Sequence, residues 1–314
     1  MAHNTGNTTA FIEAQQYSDF ILQNLHDGLL PDSLSRDVSD FGEGTTLNVK
    51  TVGAATLQEV SEEVPMEYNA IDTGVVQLQI TDFVGDAWSI SDVLREDGSQ
   101  IDSLHALRAQ ESTRALQEYF ESQYLAICNS AQTDAAANNI NGFAHRIASA
   151  ETNNVISLAH FNDMKLSFDK ANVPQGGRIA IIDPVAEATL NNLHNATWVS
   201  NNQMFEGIIN EGFARDHKFV KNIFGWDIWT SNRLAKGDYG DGTTSVTGGV
   251  ANVFMSVGGD QVKPIMRAWR RMPKVETDRN VQLKRDEFDV TARFGLGAQR
   301  VDSLGILVTS ATNY

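Results

Sequence analysis

SQIDSLHALRAQESTRALQEYFESQYLAICNS, residues 99–130, decides how the rest of the chain is read. Gly98 closes a short helical turn just before it, and Ser99 or Asp102 can cap the helix that follows. Leu104, Ala115, Leu116, Tyr119, Ala126 and Ile127 form an apolar stripe, interrupted by Arg108 and Ser112. Glu111, Arg114, Glu118 and Glu121 fall on the far side, at spacings that allow i,i+3 and i,i+4 pairs. At ~1.5 Å per residue the stretch makes a rod of roughly 45 Å. No heptad persists along it, which argues against a coiled-coil seam and for a single structural spine.

The sequence before the spine reads as an extended unit. Residues 45–52 alternate, with Leu47 and Val49 opposite Asn48 and Lys50. Residues 75–81 alternate again, with Val76, Leu78 and Ile80 opposite Gln77 and Gln79. Period-2 patterning predicts two strands, and the acidic stretch between them, with Glu59, Glu62, Glu63, Pro65 and Glu67, predicts a long projecting hairpin. A lone two-stranded hairpin is marginal in water and needs something to lie on. Further upstream, Phe11, Ile12, Phe20, Ile21, Leu25 and Leu29 recur at roughly helical spacing before the polar SLSRDVSDFGEG. That pattern reads as an amphipathic helix and an arm, too short to form a core of its own.

After the spine, residues 132–261 mix short helices and strands. Phe161, Met164 and Phe168 share one helical face. RIAIIDP (178–184) reads as a buried strand, with Asp183 capping a helix that begins at Pro184. KFVKNIFGWDIWTSN (218–232) reads as a strand, a turn at Gly225 and another strand. GDYGDGTTSVTGG (237–249) is expected to be a flexible surface loop, and ANVFMSV (251–257) a buried strand. Phe288, Val290, Ala292 and Phe294 then alternate with Glu287, Asp289, Thr291 and Arg293, and LGILVT (304–309) closes as a buried strand. The fold class is α+β.

Charge is distributed unevenly. The 314 residues hold 40 Asp/Glu against 24 Lys/Arg, a formal charge of −16. Residues 1–100 carry 17 of the acids and only Arg36, Lys50 and Arg95 as bases. So acidic a chain is a poor general binder of nucleic acid, and its acidic surface suits a basic partner. Eight bases, Lys263, Arg267, Arg270, Arg271, Lys274, Arg279, Lys284 and Arg285, cluster with Trp269 among them. Cations around an aromatic could form a nucleic-acid groove. The rival reading, a docking strip for acidic protein, is favoured because the chain supplies such acid itself.

Catalytic and metal-binding patterns are not visible. Cys128 stands alone in an apolar helix stripe and reads as a buried, inert thiol. The seven histidines (3, 26, 105, 145, 160, 194 and 217) show no metal-ligand spacing. Phosphate-cradling glycine motifs and nucleophile elbows are missing. Asp238 and Asp241 lack the rest of a calcium loop. No catalytic, cofactor-binding or metal-binding residue is therefore assigned. The N-terminus lacks the pattern of a signal peptide, and no apolar run reaches the ~20 residues of a membrane span. The protein is expected to be made, and to stay, in a reducing cytoplasm.

The order of elements resembles one family closely, the major capsid (coat) protein of tailed double-stranded-DNA bacteriophages, with the HK-ninety-seven-type fold. GTTLNV (44–49) resembles the strand leading into that family's extended loop, and VVQLQITDFVGDAWSISD (75–92) the return strand and the lead-in to the spine helix. NVPQGGRIAIIDP (172–184) and FVKNIFGWDIWTSN (219–232) are similar to its axial-domain pattern. FDVTARFGLGAQRVDSLGILVTS (288–310) is similar to its closing strands, where an aromatic-Gly pair precedes an apolar terminal strand.

The resemblance implies an N-terminal arm (1–44), an extended loop (45–80), a peripheral domain (81–134 with 262–314) and an axial domain (135–261). It implies a structural subunit and not an enzyme. The subunit would assemble with itself into pentamers and hexamers of an icosahedral virion shell, built in the bacterial host cytoplasm around double-stranded DNA touched only non-specifically. A separate scaffolding protein and a portal are implied, with room for a decoration protein and no membrane. Some members cross-link through a loop lysine; here Lys50, the only lysine before Lys165, sits away from the loop tip. Within this reading Glu59, Glu62, Glu63 and Glu67 would dock on Arg267, Arg270, Arg271 and Lys274 of another copy. Phe11, Ile12, Phe20 and Ile21 would anchor the arm. An encapsulin-like bacterial nanocompartment shares the fold and remains an alternative, as more distantly does an α/β enzyme with an unrecognised site.

Overall fold

The computed structural model describes residues 29–40, 44–53, 55, 57–60, 62, 68–98, 101–132, 139–192 and 222–313. A single 3-10 turn (Asp32–Leu34) leads into the short β1 (Arg36–Asp37). Strands β2 (Thr46–Val52) and β3 (Thr73–Gln79) then pair antiparallel, Leu47 opposite Leu78 and Val49 opposite Val76, as their alternation predicts. β4 (Asp82–Ser91) follows at once, and Gly98 ends α1 (Asp92–Asp97) by donating its N–H to the Leu94 carbonyl. The spine is α2 (Ile101–Ala131).

Beyond the spine come the short β5 (Asn139–Ile140), β6 (Phe143–Ala144) and β7 (Arg146–Ala148), then α3 (Leu158–Lys170), β8 (Arg178–Ile182) and α4 (Pro184–Asn192). Asp183 accepts the Val185 N–H at 3.0 Å, the cap its position before Pro184 predicts. β9 (Asn222–Ile223) and β10 (Trp226–Thr230) flank Gly225, whose φ of 90° no β-branched or bulky residue would adopt cheaply. The chain closes with β11 (Lys236–Gly240), β12 (Ser245–Ser256), β13 (Ile265–Asn280), β14 (Arg285–Ala298) and β15 (Leu304–Ser310).

These strands form two main sheets. The first runs β1-β13-β14-β4, and the second β7-β15-β12-β8-β10-β9 with β11 on β12. The spine helix bridges them. Leu116 packs on Val290 and Ala292 of the first sheet. Phe120 stacks on Trp269 at 4.9 Å and meets Phe294 edge-on at 5.1 Å. Further along, Tyr124, Leu125 and Cys128 enter one core with Ile181, Val253, Met255 and Ile306 of the second sheet. On that sheet's other face Phe161, Met164 and Phe168 of α3 cover Trp226 and Phe254.

Four expectations need correction. The buried face of the spine is not the single stripe expected: Leu104 is 50% and Tyr119 39% exposed. Its two halves rest on different sheets, so the contact line shifts along the helix. Glu121 is not on the solvent side. It is buried, accepting hydrogen bonds from Ser231 Oγ at 3.0 Å and Leu30 N at 3.3 Å, with Arg233 3.5 Å away. The expected i,i+4 pair Arg114–Glu118 is present at 3.2 Å.

Residues 237–249 are not a loose loop but the hairpin β11–β12. Its aspartates bind the backbone: Asp238 accepts from Gly248 N, and Asp241 from the N–H groups of Thr243, Thr244 and Ala148. Burial opposes ionisation of Asp241, yet those bonds hold its pKa below the ordinary carboxylate value. Finally, residues 304–310 do not lie with the strands of 262–298. β15 sits between β12 and β7 in the second sheet, all seven residues buried.

Candidate functional site

Among the described residues, the extended hairpin is held to the body only at its root. Leu78 and Ile80 are buried with Met266 and Ala268 of β13, while Leu47, Val49 and Val76 pack alongside. β3 crosses β14 so closely that a Cβ on Gly295 would stand 2.3 Å from the Gln79 carbonyl oxygen. The aromatic-Gly pair Phe294-Gly295 thus has a mechanical reason: the aromatic fills the core and the glycine lets another backbone pass. Beyond Lys50 and Val75 the described hairpin residues are exposed on both faces, apart from a half-buried Gln58. Leu57 is 98% exposed and Tyr68 wholly so.

The arm is tied to the same sheet. β1 runs parallel to β13, Arg36 beside Met266 and Asp37 beside Arg267. Ser39 Oγ accepts the Trp269 N–H at 2.9 Å, and Asp37 accepts the Ser39 N–H at 2.9 Å. Burial opposes the Asp37 charge, but Ser39 and Arg267 more than compensate and hold its pKa down.

The basic cluster turns out to be a strand whose charges are largely engaged within the chain. Arg267 lies 3.7 Å from Asp37, Arg270 donates to the Gly44 carbonyl at 2.6 Å, and Arg271 and Lys274 share Glu276 at 2.5 and 3.6 Å. The Arg271 hydrogen bond is the chief cause of the lowered Glu276 pKa. Nearer the β13–β14 turn, Arg279 bridges Asp92 and Asp286 and Arg285 holds Glu287, while just before β13 Lys263 meets Asp260 at 2.7 Å. Trp269, which looked like a stacking platform for bases, packs inward on Phe120 and Phe294. The aromatic half of the nucleic-acid reading is therefore spent on the core.

Of the loop acids, the described Glu59 and Glu62 are not brought to these bases within one molecule. Glu59 and Glu62 are exposed, and among the described residues neither forms an ion pair. Glu63, Glu67, Phe11, Ile12, Phe20 and Ile21 lie outside the described residues. Sequence reasoning missed Asp86, which projects from β4 to the spine and receives Arg108 at 2.6 Å and Ser112 at 2.5 Å. Those two polar residues, the apparent breaks in the helix stripe, were the signal that could have found it. His160 closes a capping box with Ser157, and burial lowers its pKa; His105 accepts the Trp88 indole N–H at 3.3 Å. These histidines serve the fold. Among the described residues no group of three or more His, Cys, Asp or Glu could hold a metal ion, and no helix is long and apolar enough to cross a membrane.

No protein-family model and no curated protein matches the chain. Solved structures do. The capsid of the cyanophage P-SCSP1u superposes with a TM-score of 0.70 at 18% identity, over 99% of this chain and 96% of that one. The mature capsid of bacteriophage PhiM1 gives a TM-score of 0.69 at 10% identity, over 96% and 93%. The capsid of a native GTA particle gives 0.65 at 10% identity, over 99% and 100%. At these identities the likeness is one of fold, and it runs the length of both chains. The chain has the α+β capsid fold of tailed phages.

Proposed function

We propose that this chain, having that fold from end to end, is the major shell subunit of a tailed phage. The observation that carries the reading is the projecting hairpin, pinned at its root and, in its described residues other than the half-buried Gln58, exposed on both faces beyond it. A two-stranded ribbon with exposed Val52, Leu57, Val60, Tyr68 and Ile71 is not stable alone in water and calls for cover from outside the molecule. The subunit is structural and not catalytic. Its copies form pentamers and hexamers that close around double-stranded DNA, assembling in the host cytoplasm with a separate scaffolding protein and a portal, and with a decoration protein where one exists. Contact with DNA is non-specific. The peripheral and axial units follow the two sheets, with the arm and loop joining neighbours, and Phe11, Ile12, Phe20 and Ile21 anchor the arm on another copy or on the inner shell face.

Electron microscopy of the purified chain, produced with and without its scaffolding protein, tests this. Closed shells of uniform size are expected, filled with nuclease-protected DNA when recovered from phage. A monodisperse monomer under both conditions overturns the reading, and shells enclosing an enzyme cargo instead of DNA favour a nanocompartment.

A further inference from the structure

α3 begins with a clasp made of a titratable group. Its cap is Ser157. The third position of a helix capped in this way usually holds Glu or Gln, whose side chain accepts the N–H of the capping residue. Here that position is His160. Its Nδ1 accepts the Ser157 N–H at 3.1 Å and stands 3.1 Å from the Ser157 hydroxyl. The ring is buried, 8% exposed. An imidazole nitrogen accepts only while it carries no proton, so the clasp exists in the neutral ring alone. Glu and Gln impose no such condition near neutral pH.

Burial opposes the charged ring and holds its pKa below the ordinary value. It does so against Glu151, from the turn before the helix, and Asp163 on the helix itself, the charged groups that face the ring. Lys165, Asp169 with its partner Arg178, and His145 against Phe168 lie towards the helix's other end. Next to His160, Phe161 is fully buried and meets Phe254 edge-on at 5.3 Å. The clasped turn is thus also part of the cover over the second sheet.

We propose that His160 is a proton-operated catch: uptake of one proton turns Nδ1 from acceptor into donor, releases the Ser157 amide and loosens the first turn of α3. The proton comes from solvent. The new N–H has the Ser157 hydroxyl within reach, but the half-buried Ser157 amide loses its acceptor. The stabilisation is complete above the unfolded pKa near 6.5 and is lost as pH falls towards the lower folded value. Below that window the helix over Trp226 and Phe254 frays from its N-terminal end while the rest of the subunit stays folded. The catch belongs to the single subunit, so it stands or falls independently of the shell reading.

Amide hydrogen exchange of the whole chain tests this, with residues 157–161 read against residues 165–169 of the same helix, at about pH 7.5 and about pH 5. In the wild type, protection of 157–161 relative to that reference is expected to fall several-fold between the two conditions. His160→Gln keeps an acceptor and takes no proton, so its ratio should stay constant; His160→Glu serves in its place if the Gln variant does not fold. His160→Ala lacks the acceptor and should show the loosened ratio at both pH values. A wild-type ratio that does not change overturns the proposal whatever the variants do. So does a His160→Gln chain that loosens in acid as much as the wild type, because the acid effect then lies elsewhere.

Discussion

Replacing Gly295 with alanine tests whether the extended hairpin is pinned where the structure pins it. The new Cβ would stand 2.3 Å from the Gln79 carbonyl oxygen, 2.8 Å from the Ile80 Cα and 2.9 Å from the Gln79 carbonyl carbon. All three are backbone atoms, so no side chain can swing aside. Forcing extra volume into a fitted contact costs about 1–3 kcal/mol. The alternative is to lift β3 off β14, which exposes Leu78 and Ile80, each worth about 1.5–3 kcal/mol when buried. Taking the cheaper route, the chain should lose about 1–3 kcal/mol. Urea unfolding of unassembled subunits reads the loss, and hydrogen exchange at residues 76–80 shows whether the root is what loosens. Gly259→Ala is the control, since nothing lies within 4 Å of a Cβ there; it should stay within about 0.5 kcal/mol of wild type. If Gly295→Ala proves as stable as that control, the close crossing of the two strands is wrong.

Glu121→Ala removes the buried acceptor of the Ser231 hydroxyl and one of the two carboxylates on Arg233, which keeps Glu118 at 3.0 Å; a loss of about 1–3 kcal/mol in denaturant titration is expected, as for leaving a buried polar group unsatisfied. The depressed pKa of Asp241 means its stabilisation is complete above its unfolded value near 3.8 and is lost as pH falls through its lower folded value. Asp241→Asn should therefore be less stable at pH 7 and show a flatter stability curve below pH 4. Burial pushes the Cys128 thiol far up, so an aqueous thiol reagent should label it no faster than the subunit unfolds. Arg270→Glu with Arg271→Glu should block particle formation, and adding Glu62→Lys with Glu63→Lys should restore part of it, each exposed pair being worth ~0–1 kcal/mol but repeated in every copy.

Local chemistry was legible and non-local pairing was not. The alternations at 45–52 and 75–81, the buried RIAII strand and the Asp183-Pro184 helix start all depend on neighbours a few residues away, and the structure carries them as β2 (Thr46–Val52), β3 (Thr73–Gln79), β8 and α4. β4 was harder to read, because Asp86 takes a core-facing position by pairing with Arg108 and Ser112, which hides the period. The glycine-rich run at 237–249 looked loose because its aspartates seemed unattached, but they bind amides 10 and 93 residues away in sequence. The loop acids and the basic strand were both visible as charge runs. What composition could not convey is that the strand's cations already have partners on Asp37, Glu276, Asp92 and Asp286.

The place of β15 bears on how the protein is born. Its seven residues are sandwiched between β12 and β7, and Ile306, Leu307 and Val308 pair with residues 146–148. A nascent chain therefore exposes the flanks of both strands until residues 304–310 have left the ribosome. Such non-local pairing is slow and late in folding. A subunit interrupted before β15 lacks the strand that joins β7 to the rest of its second sheet and the part of the core that Leu304, Ile306 and Val308 supply. In the shell proposed above, a chain lacking β15 would thus be a poor building block, and the late arrival of that strand would favour finished copies over incomplete ones.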